Sequence, residues 1–302
     1  MRTFVFTCLL LLGMTTFAQD ANFHIYLCLG QSNMEGNAKV EEQDTVAVDS
    51  RFQVLAAVDC PNLGRTKGNW YKAVPPLARC YTGLTPGDYF GRAMVANLPS
   101  NVRVGIINVA VGGCRIELFD KDNYQSYVET SPDWLKNMVK EYGGNPYARL
   151  VEMAKLAQKD GVIKGILLHQ GESNTNDKDW PLKVKGVYDN LLNDLGLSAA
   201  NVPLLAGEVV HADQNGVCAS MNTIIDSLPQ VISSAGCPAA FDNLHFTAEG
   251  YRMLGARYAA KMLSILGYGD WTSAQNMKLW YNRPAQDWLE ALPLGNSRLG
   301  AM

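Results

Sequence analysis

The sequence has few of the features that mark a metal protein, a nucleic-acid-binding protein or a membrane protein. It holds only 4 scattered histidines and no Cys-x-x-Cys pair, so we expect no structural zinc site. Its net charge of −3 lacks the basic excess that nucleic acid or an anionic membrane surface requires. No run beyond the first residues is long and apolar enough to span a bilayer. A neutral polymer or a small molecule fits this charge better.

The N-terminus has the pattern of a secretory signal peptide. Arg2 supplies the positive charge, and residues 4–14 form an apolar segment of the length that a signal peptide uses. Thr16-Phe17-Ala18 places small residues at both positions that specify cleavage, so residues 1–18 are the predicted signal peptide. A secreted or periplasmic protein follows from this prediction. The alternative is an uncleaved anchor.

The cysteines beyond this segment number six, since Cys8 lies within it. An oxidising compartment allows disulfides, although the sequence alone cannot choose among the pairings. Cys60 with Cys80, and Cys218 with Cys237, each bracket a loop-rich stretch and are the predicted pairs. Cys28 lies in an apolar run that indicates a buried strand, so we predict a free, packed thiol.

Short apolar runs alternate with helical patterns along the chain, without a sustained repeat or a low-complexity tract. The predicted strands span 23–29, 52–58, 102–111, 163–168 and 202–210, and the predicted helices span 88–98, 147–158, 180–195 and 247–266. This alternation predicts an α/β fold with a mostly parallel sheet covered on both faces. Residues 111–145 look like a long irregular insert. Ligands of such folds bind beyond the carboxyl ends of the strands.

Two motifs near the ends of predicted strands and helices could act together in catalysis. One contains Ser32, and the other contains Asp242 and His245. Ser32 follows the first strand and stands close to Gly30, whose lack of a side chain allows close backbone approach. Asp242 precedes His245 by three residues, a spacing that lets the carboxylate reach Nδ1 and leaves Nε2 free to take a proton from a hydroxyl. Taken singly, each motif is more often a turn or a helix cap.

Polar and glycine-rich segments also follow the third and fourth strands. Gly112-Gly113 exposes backbone N–H groups of the kind that a developing oxyanion needs. Gln170 and Asn174 add side-chain amides at the same edge. Because buried polar side chains cost stability unless they are paired, four such clusters at one edge indicate more than ordinary turns.

These segments together resemble a known family. Gly30-Gln31-Ser32-Asn33-Met34, Gly112-Gly113, His169-Gln170-Gly171-Glu172-Ser173-Asn174 and Asp242-x-x-His245 are similar to the ordered blocks of the SGNH hydrolases. The nearest branch is the sialate O-acetylesterase and acetylxylan esterase group, carbohydrate esterase family six. The resemblance spans residues 22–267, the predicted esterase domain. It implies a flavodoxin-like three-layer α/β/α fold and ester hydrolysis with no metal and no cofactor.

The resemblance also implies roles for individual residues. Ser32 would attack the acetyl carbonyl, His245 would accept its proton and return it to the leaving sugar hydroxyl, and Asp242 would orient the imidazole. The backbone N–H groups of Ser32 and Gly113, with the Gln170 side chain, would form the oxyanion hole. Asn174 is the alternative side-chain donor.

Several residues near the same edge have open interpretations. Glu208 follows the fifth strand and could be an auxiliary or substitute acid, whereas Glu172 is interpreted as an internal brace. Arg115 either packs or touches substrate. Trp70 and Tyr71 either stack on sugar or pack on their own scaffold.

The C-terminal segment 276–302 is too apolar to be a free tail. It includes Leu279, Trp280 and Trp288, whose exposure would be costly. The segment either folds back on the esterase or belongs to another module. It resembles the opening of glycoside hydrolase family ninety-five, whose members include α-L-fucosidases. The resemblance implies a linker, the truncated start of a second module and a covalent fusion to a C-terminal glycoside hydrolase.

The sequence therefore predicts a serine esterase that releases acetyl groups from O-acetylated carbohydrate through an acyl-enzyme. Plant cell-wall polysaccharide or oligosaccharide is the favoured substrate, because a fucosidase-like partner would act on the same glycan. A sialic-acid O-acetylesterase is the first alternative and would need a basic pocket for the sialate carboxylate. A carbohydrate-binding module without catalysis is the second, disfavoured because Ser32, Asp242 and His245 are all present. Nucleic acid and membrane partners are not expected.

Overall fold

The computed structural model describes residues 19–268 and the backbone of residues 294–295 and 300–301, which pair as a two-stranded antiparallel ladder. The signal-peptide prediction for residues 1–18 lies outside the described residues. So does nearly all of the second-module prediction for residues 276–302.

A seven-stranded sheet forms the middle of the molecule. Its strands are β1 (Asp20–Gly30), β2 (Phe52–Leu55), β3 (Trp70–Lys72), β4 (Arg103–Ala110), β5 (Gly161–His169), β6 (Leu204–Gly207) and β7 (Val231–Ile232). Their order is β3-β2-β4-β1-β5-β6-β7, and every neighbouring pair is parallel except β2 with β3. The strands β4-β1-β5-β6-β7 follow the 2-1-3-4-5 order of flavodoxin-like folds, with β2 and β3 added at one edge. The prediction of an α/β fold with a mostly parallel sheet is confirmed.

The helices cover both faces of this sheet. Within the described residues they are α1 (Ser32–Glu35), α2 (Glu42–Thr45), α3 (Pro86–Asn97), α4 (Tyr124–Thr130), α5 (Asp133–Glu141), α6 (Pro146–Ala157), α7 (Trp180–Leu195), α8 (Asn222–Ile225) and α9 (Ala248–Ile265). The N-cap of α9 is Thr247, whose hydroxyl accepts the backbone N–H of Gly250 at 3.1 Å. The four predicted helices are confirmed to within two residues at each end.

The central strand shows why the protein has three layers. Ile25, Leu27 and Leu29 point into a core shared with α5, α6 and α7, whereas Tyr26 and Cys28 point into a second core shared with α3 and α9. Successive side chains of a strand face opposite sides, so an uninterrupted apolar run is the pattern of a strand buried on both faces.

The insert between β4 and α6 corrects the sequence prediction. Residues 111–145 are not irregular, because they contain a 3₁₀ helix at Ile116–Phe119 followed by α4 and α5. In α5 only Leu135 and Val139 are buried, and these two residues lie one helical turn apart. This spacing of apolar residues is a helical signal that the sequence analysis did not use.

The cysteine predictions are confirmed in part. Cys60 and Cys80 form a disulfide, and Cys28 is a free, buried thiol. The predicted Cys218–Cys237 bridge is wrong, since both thiols are free. Cys237 is buried in the core beside α3 and α9, whereas Cys218 packs against the core on the other face of the sheet. The sheet separates the two sulfurs.

The position of β1 determines where a ligand can bind. Strand order reverses at β1, which has β4 on one side and β5 on the other, and such a switch point leaves a crevice at the carboxyl edge. Gly30 ends β1 with φ +147°, and a Cβ there would lie 2.0 Å from the carbonyl oxygen of His169. A side chain is therefore excluded, and the loops that follow β1 and β5 meet directly. None of the described helices combines the length and apolar character that a membrane span requires.

Candidate active site

The structure brings Ser32, His245 and Asp242 into one hydrogen-bonded chain. Ser32 begins α1 immediately beyond the β1 loop, and its Oγ lies 2.9 Å from Nε2 of His245. Nδ1 of the same imidazole lies 2.7 Å from Oδ2 of Asp242. These distances are those of hydrogen bonds, and the order of groups is that of a hydroxyl nucleophile, a base and an orienting acid.

The turn that carries Asp242 keeps its carboxylate ionised. Oδ1 of Asp242 accepts the backbone N–H groups of Leu244 and His245, each at 3.0 Å. Burial opposes ionisation, but the hydrogen bonds with the His245 side chain and with these two N–H groups lower the pKa of Asp242. Asn243 adopts φ +51°, a left-handed conformation that asparagine tolerates better than most residues. The spacing of Asp242 and His245 therefore produces the contact that the sequence predicted.

The glycine turn after β4 lies beside the serine. A Cβ built on Gly112 would be 3.8 Å from Cβ of Ser32, and Gly113 has φ +70°. The backbone N–H of Ser32 is at the first position of a helix, where it has no intrahelical acceptor. Ser173 Oγ donates to the carbonyl oxygen of Gly113 at 3.0 Å and holds the turn from its other side. The two peptide groups predicted to form an oxyanion hole are thus neighbours.

A buried ion pair supports this turn, and the sequence analysis missed it. The Glu35 carboxylate accepts the backbone N–H of Gly112 and pairs with the Arg79 guanidinium, which also bonds Glu141. Burial raises the pKa of Glu35, and the neighbouring Arg79 opposes that rise. Glu35 follows Ser32 by one helical turn, which is visible in the sequence. The contact with Arg79 depends on the loop that the Cys60–Cys80 disulfide closes, and the position of this loop is not visible in the sequence.

Gln170 is a structural residue in this arrangement. Its Nε2 lies 2.8 Å from Oδ1 of Asn174, 3.1 Å from Oε1 of Gln31 and 3.3 Å from the carbonyl oxygen of Cys114. Its Oε1 accepts the indole N–H of Trp180. Because its amide hydrogens are already engaged, the prediction that Gln170 donates to an oxyanion is wrong for this structure.

The alternative donor, Asn174, is engaged in the same way. Its Nδ2 donates to Glu117 and Asp177, each at 3.1 Å, and its Oδ1 accepts the backbone N–H of Ile116 at 2.9 Å. The side chains of Gln170 and Asn174 are almost entirely buried. Both amides join the β5 loop to the segment after β4, and neither offers a free N–H to a substrate.

Asn33 and Glu172 connect three parts of the site. Asn33 Nδ2 donates to Oε1 of Glu172 at 2.6 Å and to the carbonyl oxygen of Leu244 at 3.1 Å, and its Oδ1 accepts the Tyr251 hydroxyl at 2.6 Å. These bonds tie the serine loop, the β5 loop and the turn of His245 together. The prediction that Glu172 is an internal brace is confirmed by this contact.

Glu208 is held away from the imidazole. Its Oε2 accepts Ser233 Oγ at 2.8 Å and the backbone N–H of Ser234 at 2.6 Å. Only its backbone carbonyl faces a histidine, at 2.9 Å from Nε2 of His169. The position that a substitute acid would need, next to Nδ1 of His245, is occupied by Asp242, so the structure contradicts the auxiliary-acid interpretation of Glu208.

Trp70 and Tyr71 serve packing. The Trp70 ring lies 4.7 Å from the Phe23 ring, between centroids, and its indole N–H donates to Asp160 at 2.9 Å. Phe23 lies near the start of β1, whereas Ser32 follows the end of that strand, so Phe23 and Ser32 lie at opposite ends of β1. The Tyr71 hydroxyl accepts the backbone N–H of Thr66 at 2.8 Å.

Arg115 lines an open groove that begins two residues beyond Gly113. The groove has a volume of about 410 Å³, and its walls are formed by Arg115, Glu117, Asn123, Ser126, Tyr127 and Thr130. Arg115 lies 3.5 Å from Glu117 and 3.7 Å from Asp177, and Lys183 contacts the same two carboxylates at 2.8 and 2.6 Å. Two cations thus face two anions, and the groove is polar without a net charge.

Residues 19–268 contain no cluster of three or more His, Cys, Asp or Glu side chains that could hold a metal ion.

The chain is similar in sequence to a known relative and similar in fold to solved structures. A probable carbohydrate esterase of Arabidopsis thaliana is 26% identical over 265 residues, which cover 80% of this chain and 90% of that protein. The X-ray structure of an Arabidopsis thaliana protein matches with a TM-score of 0.60 at 23% identity, over 80% of this chain and 98% of that one. A carbohydrate acetylesterase from Xanthomonas citri matches with a TM-score of 0.53 at 18% identity, over 80% of this chain and 56% of that one.

The family is shown by a more specific match. The model of the family described as carbohydrate esterase, sialic acid-specific acetylesterase, matches residues 22–264. The chain belongs to this family and is a carbohydrate acetylesterase.

Proposed function

We propose that the protein hydrolyses acetyl esters of carbohydrate with Ser32 as the nucleophile, His245 as the base and Asp242 as the orienting acid. The observation that carries this proposal is the unbroken chain from Ser32 Oγ through both imidazole nitrogens to Asp242. His245 Nε2 takes the hydroxyl proton as Oγ attacks the acetyl carbonyl, and the Asp242 carboxylate stabilises the imidazolium that forms.

The remaining steps use the same groups. The carbonyl oxygen becomes an oxyanion, which the backbone N–H groups of Ser32 and Gly113 stabilise. His245 then returns its proton to the sugar oxygen, the ester bond breaks, and the acetyl group stays on Oγ. Water, deprotonated by His245, cleaves this acyl-enzyme, releases acetate and restores the serine hydroxyl.

The groove beside Gly113 supports a neutral glycan as the substrate, and acetylated plant cell-wall polysaccharide or its oligosaccharides fit that requirement. Arg115 is the cation nearest in sequence to the glycine turn, and it already faces Glu117 and Asp177. A sialate carboxylate would have to compete with these two carboxylates for the guanidinium, which disfavours the sialic-acid alternative.

Secretion and a C-terminal fusion complete the proposal. The signal-peptide pattern of residues 1–18 and the Cys60–Cys80 disulfide both support an oxidising, extracytoplasmic compartment. The resemblance of residues 276–302 to the opening of a glycoside hydrolase supports a covalently linked second enzyme, which would act on the deacetylated glycan.

Acetate release from acetylated xylan, xyloglucan, pectin and O-acetylated sialic acid tests this proposal. We expect release from one of the neutral plant glycans, and a loss of at least roughly ten-thousandfold in kcat for Ser32→Ala with the fold retained. An active-site phosphonate should label Ser32 in the wild type, which a binding module without catalysis would not allow. Near-normal turnover by Ser32→Ala would refute the nucleophile, and faster release from sialic acid than from any glycan would refute the substrate class.

A further inference from the structure

Trp134 stands at the mouth of the site and has no role in the predictions made from sequence. It belongs to the first turn of α5, which is anchored in the core by Leu135 and Val139. The Trp134 residue is 54% exposed although its helix is packed. A Cβ built on Gly113 would lie 2.7 Å from Cη2 of the Trp134 ring, so the edge of the indole lies directly against the glycine turn.

Two other tryptophans in residues 19–268 show what a structural indole looks like in this fold. Trp180 is completely buried and donates its N–H to Gln170. Trp70 packs on Phe23 and donates its N–H to Asp160. Among the described residues, Trp134 contributes no hydrogen bond of this kind, and its ring is open to solvent. A single exposed apolar side chain is common, so its place beside Gly113 is what distinguishes this one.

A second exposed aromatic side chain is next to the acid in the sequence. Phe241 is fully exposed and immediately precedes Asp242. Trp134 and Phe241 therefore adjoin the two functional ends of the site, the glycine turn and the acid of the Ser–His–Asp chain. Large apolar groups placed around a polar centre are the usual composition of a small-molecule binding site.

We propose that Trp134 is the stacking platform for the sugar ring that bears the acetyl group. This inference rests on the proposed function, because it assumes that the acetyl carbon is delivered to Ser32 Oγ. One face of a pyranose presents mainly C–H groups. When this face packs on the rigid indole, the C–H groups are removed from water, while the hydroxyl groups stay at the solvated edge of the ring. Tryptophan has only two side-chain torsions, so ordering it on binding costs little entropy.

The proximity of Trp134 to Gly113 gives the platform a functional consequence. A sugar ring lying on the indole is adjacent to the turn that supplies the proposed oxyanion donor, so a pendant acetyl ester is presented close to Ser32. Holding the ester in this place raises kcat/KM for a sugar acetate and does nothing for an acyclic acetate. Trp134 is thus a specificity-determining residue.

Paired substrates separate this role from general damage to the site. We would measure kcat and KM for vinyl acetate, which has no ring, and for acetylated xylo-oligosaccharides, in wild type, Trp134→Ala and Trp134→Phe. Ile265→Ala is the matched control, because Ile265 is an exposed apolar residue at the last position of α9, the end remote from the Thr247 cap. We expect Trp134→Ala to lower kcat/KM for the oligosaccharide roughly ten- to thirtyfold, mainly through KM. Vinyl acetate turnover should stay within about twofold, and Trp134→Phe should recover much of the loss.

A binding titration makes the result independent of turnover. Ser32→Ala protein would be titrated with xylo-oligosaccharide and followed by tryptophan fluorescence, with Ser32→Ala/Trp134→Phe as the comparison. A shift that requires Trp134 supports the platform. Equal losses on both substrates, or no loss on either, would overturn it. If the wild type cleaves neither substrate, the proposed function fails on this glycan. In that case the titration alone tests the platform, and the absence of a fluorescence shift that requires Trp134 would overturn it.

Discussion

The inner wall and the rim of the site are built on opposite principles. The inner wall consists of Gln31, Asn33, Gln170, Glu172 and Asn174, all polar and none more than 8% exposed. The rim consists of Trp134, Phe241 and Val217, all apolar and at least 54% exposed. Val217 adjoins the turn of His245, because its backbone N–H donates to the carbonyl oxygen of Asn243 at 3.0 Å. Polar residues in the conspicuous motifs bond to one another and to the neighbouring segments, which holds the loops in position. Apart from Ser32 and His245, the exposed side chains around the site come from segments outside those motifs. Motif identity therefore indicates the reaction, whereas the rim is the part that we propose determines substrate preference.

Replacing the acid of the Ser–His–Asp chain should give the largest effect. Asp242→Asn removes the charge that stabilises the imidazolium, and we expect kcat to fall on the order of ten-thousandfold. Glu208→Gln is the matched control, because Glu208 bonds to Ser233 and Ser234 and has no contact with the imidazole. Steady-state kinetics on vinyl acetate decide the ranking. A larger loss in Glu208→Gln would transfer the acid role to Glu208.

Removing the support of the glycine turn should have an intermediate effect. Glu35→Ala leaves the Gly112 N–H without its acceptor, and the proposed oxyanion donor beside it loses its fixed position. Loss of an entire oxyanion donor costs about a hundredfold to a thousandfold, so we expect a smaller fall of roughly ten- to a hundredfold in kcat. KM for vinyl acetate should change little. Because an unfolded fraction also lowers kcat without changing KM, kcat would be referred to the sites that the phosphonate labels.

Glu141→Ala is the control for this change, since it removes only the exposed partner of Arg79. It should leave kcat close to the wild-type value. Equal effects in the two variants would mean that the ion pair supports the loop of Arg79 as a whole, and the specific role of Glu35 would be refuted.

The fold was largely predictable, because apolar runs on β1, β4 and β5 and the stripes on α6, α7 and α9 follow directly from burial. The Asp242–His245 contact was also predictable, since it is local. The roles of Gln170 and Asn174 were not, because a side-chain amide in a motif looks the same whether its hydrogens face a substrate or a neighbour. Trp134 was missed because α5 was assigned to an irregular insert. Its buried pair, Leu135 and Val139, was the signal that could have identified the helix.

Within the inner wall, Asn33 should matter for stability. Asn33→Ala removes the hydrogen-bond donor to Glu172 Oε1 and one partner of the Tyr251 hydroxyl, both in a buried place. We expect the free energy of unfolding in urea to fall by about 1–3 kcal/mol. Asn97→Ala is the control, because Asn97 is exposed and bonds only within its own helix, to Ala93. An Asn33 variant as stable as the Asn97 variant would contradict the rigid inner wall.

On the rim, Phe241→Ser should have the smallest effect on stability. Phe241 is fully exposed, so its replacement should change the free energy of unfolding by no more than about 0.5 kcal/mol. Vinyl acetate turnover should be retained, because Asp242 keeps its bonds to Leu244 and His245. Chemical unfolding and kinetics of the same preparation test both statements. Destabilisation well above 1 kcal/mol would show that Phe241 is packed in solution, and the contrast between wall and rim would be lost.

The sequence separation of the site has a consequence for biosynthesis. The hydrogen bond between Ser32 and His245 joins residues 213 positions apart, and β1 pairs with strands as distant as Gly161–His169. A ribosome makes the central strand and the serine early, but neither has its neighbours until most of the domain has emerged, and such non-local pairing folds slowly. An unfolded nascent chain is the form that an export channel accepts, so slow non-local pairing is compatible with the proposed secretion. The proposed hydrolytic centre forms only after His245 reaches Ser32, so a polypeptide that ends before His245 cannot cleave esters by this mechanism.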